Sequence, residues 1–419
     1  MERLGVGFIG TGFVSTFHAN AFRAVRDAEI VAVYSRTEEK GKRFASICEE
    51  LRVGKTKPYT DLAEMIEDPN VDAVWICNPN FLRIQTVKTI VEEITQGKAE
   101  LKGVCCEKPL ARNVKEAQEM VDLIEKAGIP HGYLENNVFM PPVLRGKDIL
   151  WRRGAAIAGR PYLARAAEEH SGPHSPWFWI GRNTGGGVVM DMMCHSLEGA
   201  RYLLTDPDEE KTALTPKAVS AEIATLKWAT PRYAKVLKDR WKGEVDYTKE
   251  PAEDYGRASV VYEAEDGSIA IAEAMNSWSF MGPGMRLIFE LMGPEYMMYI
   301  NDQQPYLHVF FSREVKGPAG EDFMEKQTAE QGLMPVLDDE SFVYGYQWED
   351  GHMVESFLRG EMPRENWRDG LFIVRLMMAA YMAAEAGRRL RFPPPGLEEY
   401  IPKVQQGTYN PRSILEGTD

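Results

Sequence analysis

No stretch of this 419-residue sequence stays apolar for the roughly 18–20 residues that a bilayer-spanning helix requires, so none reads as a membrane segment. The opening, MERLGVGFIG, enters a strand-like run at once, without the charged start, apolar core and cleavage site of a secretory signal. Positive charge is in short supply. Lys and Arg number 49 against 63 Asp and Glu, a net −14, which argues against nucleic acid or an anionic membrane as partner. The five cysteines are an odd number with no CxxC pair. Cys77, Cys105, Cys106 and Cys194 sit inside apolar runs, the pattern of reduced core thiols in a cytoplasmic protein. No metal site is expected: His170 and His174 stand four apart, but the Ser-Gly-Pro between them breaks a helix. Internal repeats and low-complexity tracts are also missing.

What is present suits a globular chain with two cores, since 44% of it is hydrophobic and 27% charged. The first third alternates two patterns. Apolar runs at 4–10, 29–35, 71–77, 101–107 and 129–135 read as strands buried on both faces. Helical patterns near 13–22 and at 37–51, 60–67, 81–95 and 113–127 lie between them. That timing predicts a doubly wound parallel sheet over residues 1–135. Beyond Pro141-Pro142 comes a helical segment around 145–153. Strand-like runs follow at 218–229, 258–264, 268–276, 285–292 and 295–300, joined by turn residues such as Asp266-Gly267 and Gly293-Pro294. These predict an α+β domain over 136–392 with an open, mainly antiparallel sheet. Within it, 230–257 and 313–340 read as irregular loops and about 366–388 as a long helix. The tail from 393 to 419 reads as extended.

Four motifs carry chemistry. Gly10-Thr11-Gly12-Phe13-Val14-Ser15 follows a strand and opens a helix. Its first glycine allows a tight turn, and its second lets backbone N–H groups approach a pyrophosphate at the positive helix end. The second strand ends in Ser35-Arg36, where an NAD-binding chain would offer an acid to the ribose. A hydroxyl and a guanidinium would accept a 2′-phosphate instead, so the reading is NAD(P), leaning to NADP. The alternative is that Arg36 is a solvated charge at a helix start. Asn78-Pro79-Asn80 and Glu107-Lys108-Pro109 both follow strands, at the carboxyl ends where open α/β sheets bind ligands. Finally, GGGVVMDMMCHSLEGA (185–200) puts Asp191 and His195 on one helix face, as a base with an acid orienting its ring would need. A plain surface helix is the competing explanation.

Together VGFIGTGFVSTFHANAF, VDAVWICNPN, CCEKPL, GGGVVMDMMCHSLEGARYL and GYQWEDGHMVESFLRGEMP resemble the Gfo/Idh/MocA family of nicotinamide-dependent oxidoreductases. The resemblance implies a Rossmann domain followed by the α+β domain. It makes Lys108 the lysine that touches substrate and nicotinamide, and Asp191 and His195 the acid–histidine pair, with the histidine as acid/base. Arg83 departs from it, standing where many members have histidine.

The catalytic set is then Lys108, Asp191 and His195. Cofactor contacts are Gly10, Gly12, Phe13, Val14, Ser35, Arg36, Asn78, Asn80, Glu107 and Lys108. The loop HSGPHSPWFWIGRN (170–183) suits a sugar, whose C–H faces stack on aromatic rings. Substrate contacts are placed at Lys108, Asn137, His170, Trp177, Trp179, Arg182, Asp191 and His195. His18 and His131 read as packing or capping residues, and His352 as structural. The expected activity is hydride transfer between NAD(P) and a secondary alcohol or ketone of a carbohydrate or polyol, in a homo-oligomer. The alternatives are a redox-neutral glycoside hydrolase that oxidises, eliminates, hydrates and reduces, and a non-catalytic cofactor-binding protein.

Overall fold

The computed structural model describes residues 3–315 and 320–415, so 1–2, 316–319 and 416–419, at the ends of the expected domains and inside the 313–340 loop, lie outside it. The chain forms two compact units. The first holds residues up to Pro141 together with Ser341–Val374, and the second holds Pro142–Glu340 and the remainder from Arg375.

The first unit is built on six parallel strands: β1 (Leu4–Ile9), β2 (Ala28–Tyr34), β3 (Lys57–Tyr59), β4 (Ala73–Ile76), β5 (Gly103–Glu107) and β6 (His131–Leu134). Their order is β3-β2-β1-β4-β5-β6. Every residue of β1, β4, β5 and β6 is buried, as their unbroken apolar runs require. Connecting helices span Phe13–Ala21, Glu38–Leu51, Leu62–Ile66, Asn80–Thr95 and Val114–Lys126. The order reverses at β1, so the carboxyl ends of β1 and β4 bound the crevice of a doubly wound sheet.

Residues 341–374 correct the expected division, which assigned them to the second domain. The helix Tyr346–Arg359 packs on the first sheet so closely that a Cβ on Gly103 would lie 2.4 Å from the Phe357 ring. Trp367 donates its indole N–H to the Gly132 carbonyl at 2.9 Å and its backbone N–H to His131 Nδ1 at 3.0 Å. His131 is therefore a buried acceptor, and burial lowers its pKa to about 4. His352 likewise accepts the Arg364 N–H, at 2.9 Å.

The second unit carries a mixed sheet of β7 (Leu163–Glu169), β8 (Thr215–Ala224), β9 (Tyr255–Glu263), β10 (Ile269–Ser277), β11 (Arg286–Gly293) and β12 (Tyr296–Asn301). A hairpin of β13 (His308–Phe311) and β14 (Gly332–Pro335) stands apart, and β15 (Leu390–Arg391) adds an edge. The order is β12-β11-β7-β10-β9-β8-β15, antiparallel except where β7 runs parallel to β10. Burial alternates along β9 and β11, so one sheet face is buried. Against it lies the helix Val188–Leu204, buried at every residue. That excludes a surface helix as the explanation of the Asp191–His195 pair.

Two other expectations change. The loop expected at 230–257 contains the helix Pro231–Arg240, started by a proline, which suits a first helical turn. The tail forms short helical turns at Leu397–Glu399, Lys403–Gln406 and Ser413–Leu415. All five cysteines are buried, and none forms a disulfide. Among the described residues, no helix is long and apolar enough to cross a membrane.

Candidate active site

In the first unit the chain turns at Gly10, where φ is +118° and a Cβ would come within 3.0 Å of the Cys77 carbonyl group. Only glycine lets the ends of β1 and β4 approach this closely. Gly12 caps the helix Phe13–Ala21 with open space where a side chain would stand. Phe13 is exposed and Val14 half-buried at that helix start. The first-turn amides and the helix dipole make this a seat for an anion. Ser15 faces inward: it is buried, and its hydroxyl donates to the Gly10 carbonyl at 3.1 Å.

At the end of β2, Ser35 is buried and its hydroxyl accepts the Thr37 N–H at 3.4 Å, while Arg36 is exposed. After β4, the Asn78 amide donates to Thr86 Oγ1 at 2.8 Å, and the buried Asn80 begins the next helix. Arg83, the departure from the family pattern, is also buried. Its Nε donates to the Asn78 carbonyl at 3.1 Å and its Nη2 to the Lys108 carbonyl at 3.3 Å. Its Nη1 reaches the carbonyls of Glu107 and Pro109.

The Glu107 carboxylate closes the end of β5. One oxygen accepts the Lys108 N–H at 3.0 Å and the other pairs with His18 Nε2 at 2.9 Å. His18 Nδ1 lies 2.9 and 3.0 Å from the two Asp350 oxygens, and Trp75 Nε1 donates to Asp350 at 2.9 Å. Burial opposes charge on His18, but Asp350 and Glu107 outweigh it and hold its pKa well above the usual histidine range. Burial likewise pushes the Glu107 carboxyl up, yet the bond from His18 brings it below its ordinary value. Beside them Glu349 is buried, with both oxygens lacking a hydrogen-bond partner among the described residues. Burial raises its pKa well above the usual carboxylate range. One donor atom each from His18, Glu349 and Asp350 falls within 4.8 Å, but both His18 nitrogens already face carboxylates. Asn137, a predicted substrate contact, is buried after β6 and accepts from the Asn136 amide at 3.1 Å.

In the second unit two glycines, Gly186 and Gly187, make room for the buried helix. A Cβ on Gly186 would lie 1.9 Å from the Tyr381 hydroxyl, and one on Gly187 2.1 Å from the Glu253 carbonyl. Glu253 then caps the helix. Its Oε1 accepts from Gly187 N at 2.7 Å, Val189 N at 3.2 Å and the Tyr381 hydroxyl at 2.5 Å. One turn in, Asp191 accepts the Trp278 indole N–H at 3.1 Å. One turn further, His195 Nε2 stands 3.9 Å from Glu168 Oε2. Asn276 Nδ2 donates to Ser196 Oγ at 2.9 Å and to the Glu168 carbonyl at 3.2 Å, tying helix, β7 and β10 together. A buried acid and imidazole held on a rigid helix can accept and return a proton.

The aromatic loop corrects one expectation, the substrate contact at Trp179. Trp179 is wholly buried among Trp228, Tyr247 and Trp278, with ring centroids 5.0, 5.8 and 5.1 Å away, and donates to the Pro173 carbonyl at 3.2 Å. It is a packing anchor, one ring removed from Asp191, and offers no face to a sugar. Arg182 packs on Gly407 and pairs with Glu250 at 3.0 Å in a half-exposed ion pair. Trp177 stacks on Phe178 with centroids 3.7 Å apart and keeps partial exposure. His170 is buried, and its Nδ1 accepts the Gly172 N–H at 2.9 Å.

Sequence reasoning missed Glu168, Glu253 and the His18–Asp350 pair. Glu168 lies on β7, whose Ala- and charge-rich LARAAEE shows only a weak strand pattern. The other two are long-range contacts with no local signal.

Comparison with known proteins places these features. Residues 4–131 match an oxidoreductase family with an NAD-binding Rossmann fold, and 155–295 match the GFO/IDH/MocA C-terminal domain. The chain is 29% identical over 218 residues to the myo-inositol 2-dehydrogenase of Thermotoga maritima, covering 52% of this chain and 60% of that one. It is 31% identical over 217 residues to the 1,5-anhydro-D-fructose reductase of Ensifer adhaerens, covering 51% and 60%. The chain thus spans 60% of the length of each of these curated relatives. The crystal structure of GenD2 from gentamicin A biosynthesis, in complex with NAD, shares the fold with a TM-score of 0.74 at 24% identity, over 94% of this chain and 97% of that one.

Proposed function

The chain belongs to the Gfo/Idh/MocA family of oxidoreductases, and from that premise we propose that it transfers a hydride between a nicotinamide dinucleotide and a secondary alcohol or ketone of a sugar, sugar derivative or polyol. The observation that carries the reading is the Asp191–His195 pair on a wholly buried helix, with Asp191 held by Trp278. A dehydrogenase of an inositol and a reductase of an anhydro-sugar among the relatives support net redox over the hydrolytic cycle.

Gly10, Gly12, Phe13 and Val14 would hold the pyrophosphate. Asn78, Asn80, Glu107 and Lys108 would line the crevice at the strand ends. Gly10 fits because a side chain there would block the turn, and Gly12 because the space beside it is open. The exposed Arg36, with Ser35 and no acid beside it, supports acceptance of a 2′-phosphate. When bound, the nicotinamide supplies the carbon that accepts or returns the hydride. In the oxidising direction His195 takes the hydroxyl proton as the carbinol C–H electron pair departs, and the oxygen is left as a carbonyl. Asp191 favours the imidazolium so formed, and the Lys108 ammonium stabilises the negative charge that develops on oxygen. Reduction reverses each step. Exposed Ile269, Met297 and Tyr299 on the outward sheet face support a homo-oligomer joined there.

His195→Ala and Lys108→Ala should each lower turnover by roughly two to four orders of magnitude while cofactor still binds. Near-normal turnover in either variant overturns the assignment.

A further inference from the structure

We propose that Arg83 and His18 are positioning residues for Lys108: Arg83 holds its main chain, and His18 holds the carboxylate that anchors its N–H. The inference rests on the role just given to Lys108. Within the parallel sheet, a strand residue satisfies its backbone from neighbouring strands. Lys108 stands one residue past the end of β5. Its N–H goes to the Glu107 carboxylate at 3.0 Å and its carbonyl to the Arg83 guanidinium at 3.3 Å. Both of its backbone polar groups are therefore held by charged side chains.

The Arg83 contacts are suited to fixing a geometry. One planar group takes carbonyls from Glu107 at the end of β5, from Lys108 and Pro109 just after it, and from Asn78 after β4. It is permanently charged, and its rigid fork meets four acceptors that a lysine ammonium, with three donors on a flexible stem, cannot match. The Arg83 side chain is buried at the start of the helix Asn80–Thr95, so the clamp moves only if that helix moves. On the other side, His18 sits on the helix that follows the glycine turn and spans from Glu107 to Asp350. Asp350 is itself fixed by Trp75 of β4. Burial of all four side chains leaves this chain of contacts little freedom. The pair of charged contacts thus ties the lysine's position to both helices that open toward the cofactor crevice. Reacting groups displaced by about 1 Å lose on the order of a hundredfold in rate, so such a clamp acts on turnover.

The test is a double-mutant cycle on the full-length enzyme, with kcat normalised to sites that bind reduced cofactor. The variants are Arg83→Lys, His18→Gln and Lys108→Ala, alone and in pairs. Arg83→Lys and His18→Gln should each lower kcat by roughly 10- to 100-fold with the cofactor Kd within threefold, and each should have under a twofold effect in the Lys108→Ala background. Equal losses in both backgrounds would mean a purely structural role and overturn the inference. Full kcat in Arg83→Lys and His18→Gln, with Lys108→Ala strongly impaired, overturns it too while leaving the proposed function standing. Full kcat in Lys108→Ala overturns the proposed function first, and this inference with it. Should Arg83→Lys not bind cofactor, the His18→Gln cycle alone decides between the same outcomes.

Discussion

Replacing Glu253 by glutamine should change how stability depends on pH. Glu253 is fully buried at the glycine-led start of the helix that carries Asp191 and His195. A carboxylate there gains from the helix dipole and from three donors on Oε1, but burial outweighs them and raises its pKa from 4.5 to about 7. Between those two values the folded protein keeps a proton that the unfolded chain has released, so stability falls as pH rises from about 4.5 to about 7. A difference of roughly 2.5 units amounts to about 3 kcal/mol at most. Glutamine keeps an acceptor at Oε1 and removes the titration. Its NH2 takes the place of Oε2, which lacks a partner among the described residues, so the variant carries a constant penalty. Asp302, raised to about 8, and Glu340, raised to about 7, titrate in the same direction in both proteins and cancel in the comparison. Over a chain of 419 residues, whose unfolding entropy is about 2.1 cal/mol/K per residue, thermal unfolding from pH 5 to pH 8 should show the variant gaining on wild type by on the order of 3 °C. Parallel curves would refute the reasoning.

Two further outcomes are expected. Arg36→Ala should weaken NADP at least tenfold, about 1.4 kcal/mol, and leave NAD unchanged in a fluorescence titration; NAD binding tenfold tighter than NADP to wild type, with no effect of the mutation, contradicts the preference. Trp278→Phe removes the indole N–H from Asp191, a bond to a charged group worth about 1.5–3 kcal/mol, so steady-state assays should show kcat at least tenfold lower with cofactor affinity kept.

The parallel sheet was legible because β1, β2, β4, β5 and β6 are apolar runs of the length a buried strand needs. β3 was not: it is three residues, Lys-Pro-Tyr, too short for any periodicity. The return of 341–374 to the first unit was equally hidden, since an amphipathic helix shows that it packs but not on what. Among the candidate site residues, Gly10, Gly12, Asp191 and His195 stand out in sequence through local spacing. His18, Arg83 and Glu253 act through partners distant in sequence, such as Asp350 for His18, and local patterns carry no trace of such pairings. Trp179 was misread for a related reason. An aromatic cluster in a loop looks the same in sequence whether its rings face a ligand or one another.

The most direct test of the account supplies polyols and sugars deuterated at their carbinol carbons, together with NAD or NADP, to wild type and His195→Ala. Absorbance at 340 nm and the mass of the reduced cofactor are then followed. The account predicts one deuterium on the nicotinamide ring per substrate oxidised by wild type, with the rate lowered by roughly two to four orders of magnitude in the variant. Substrate consumed with no lasting absorbance change, or reduced cofactor without deuterium, would contradict it.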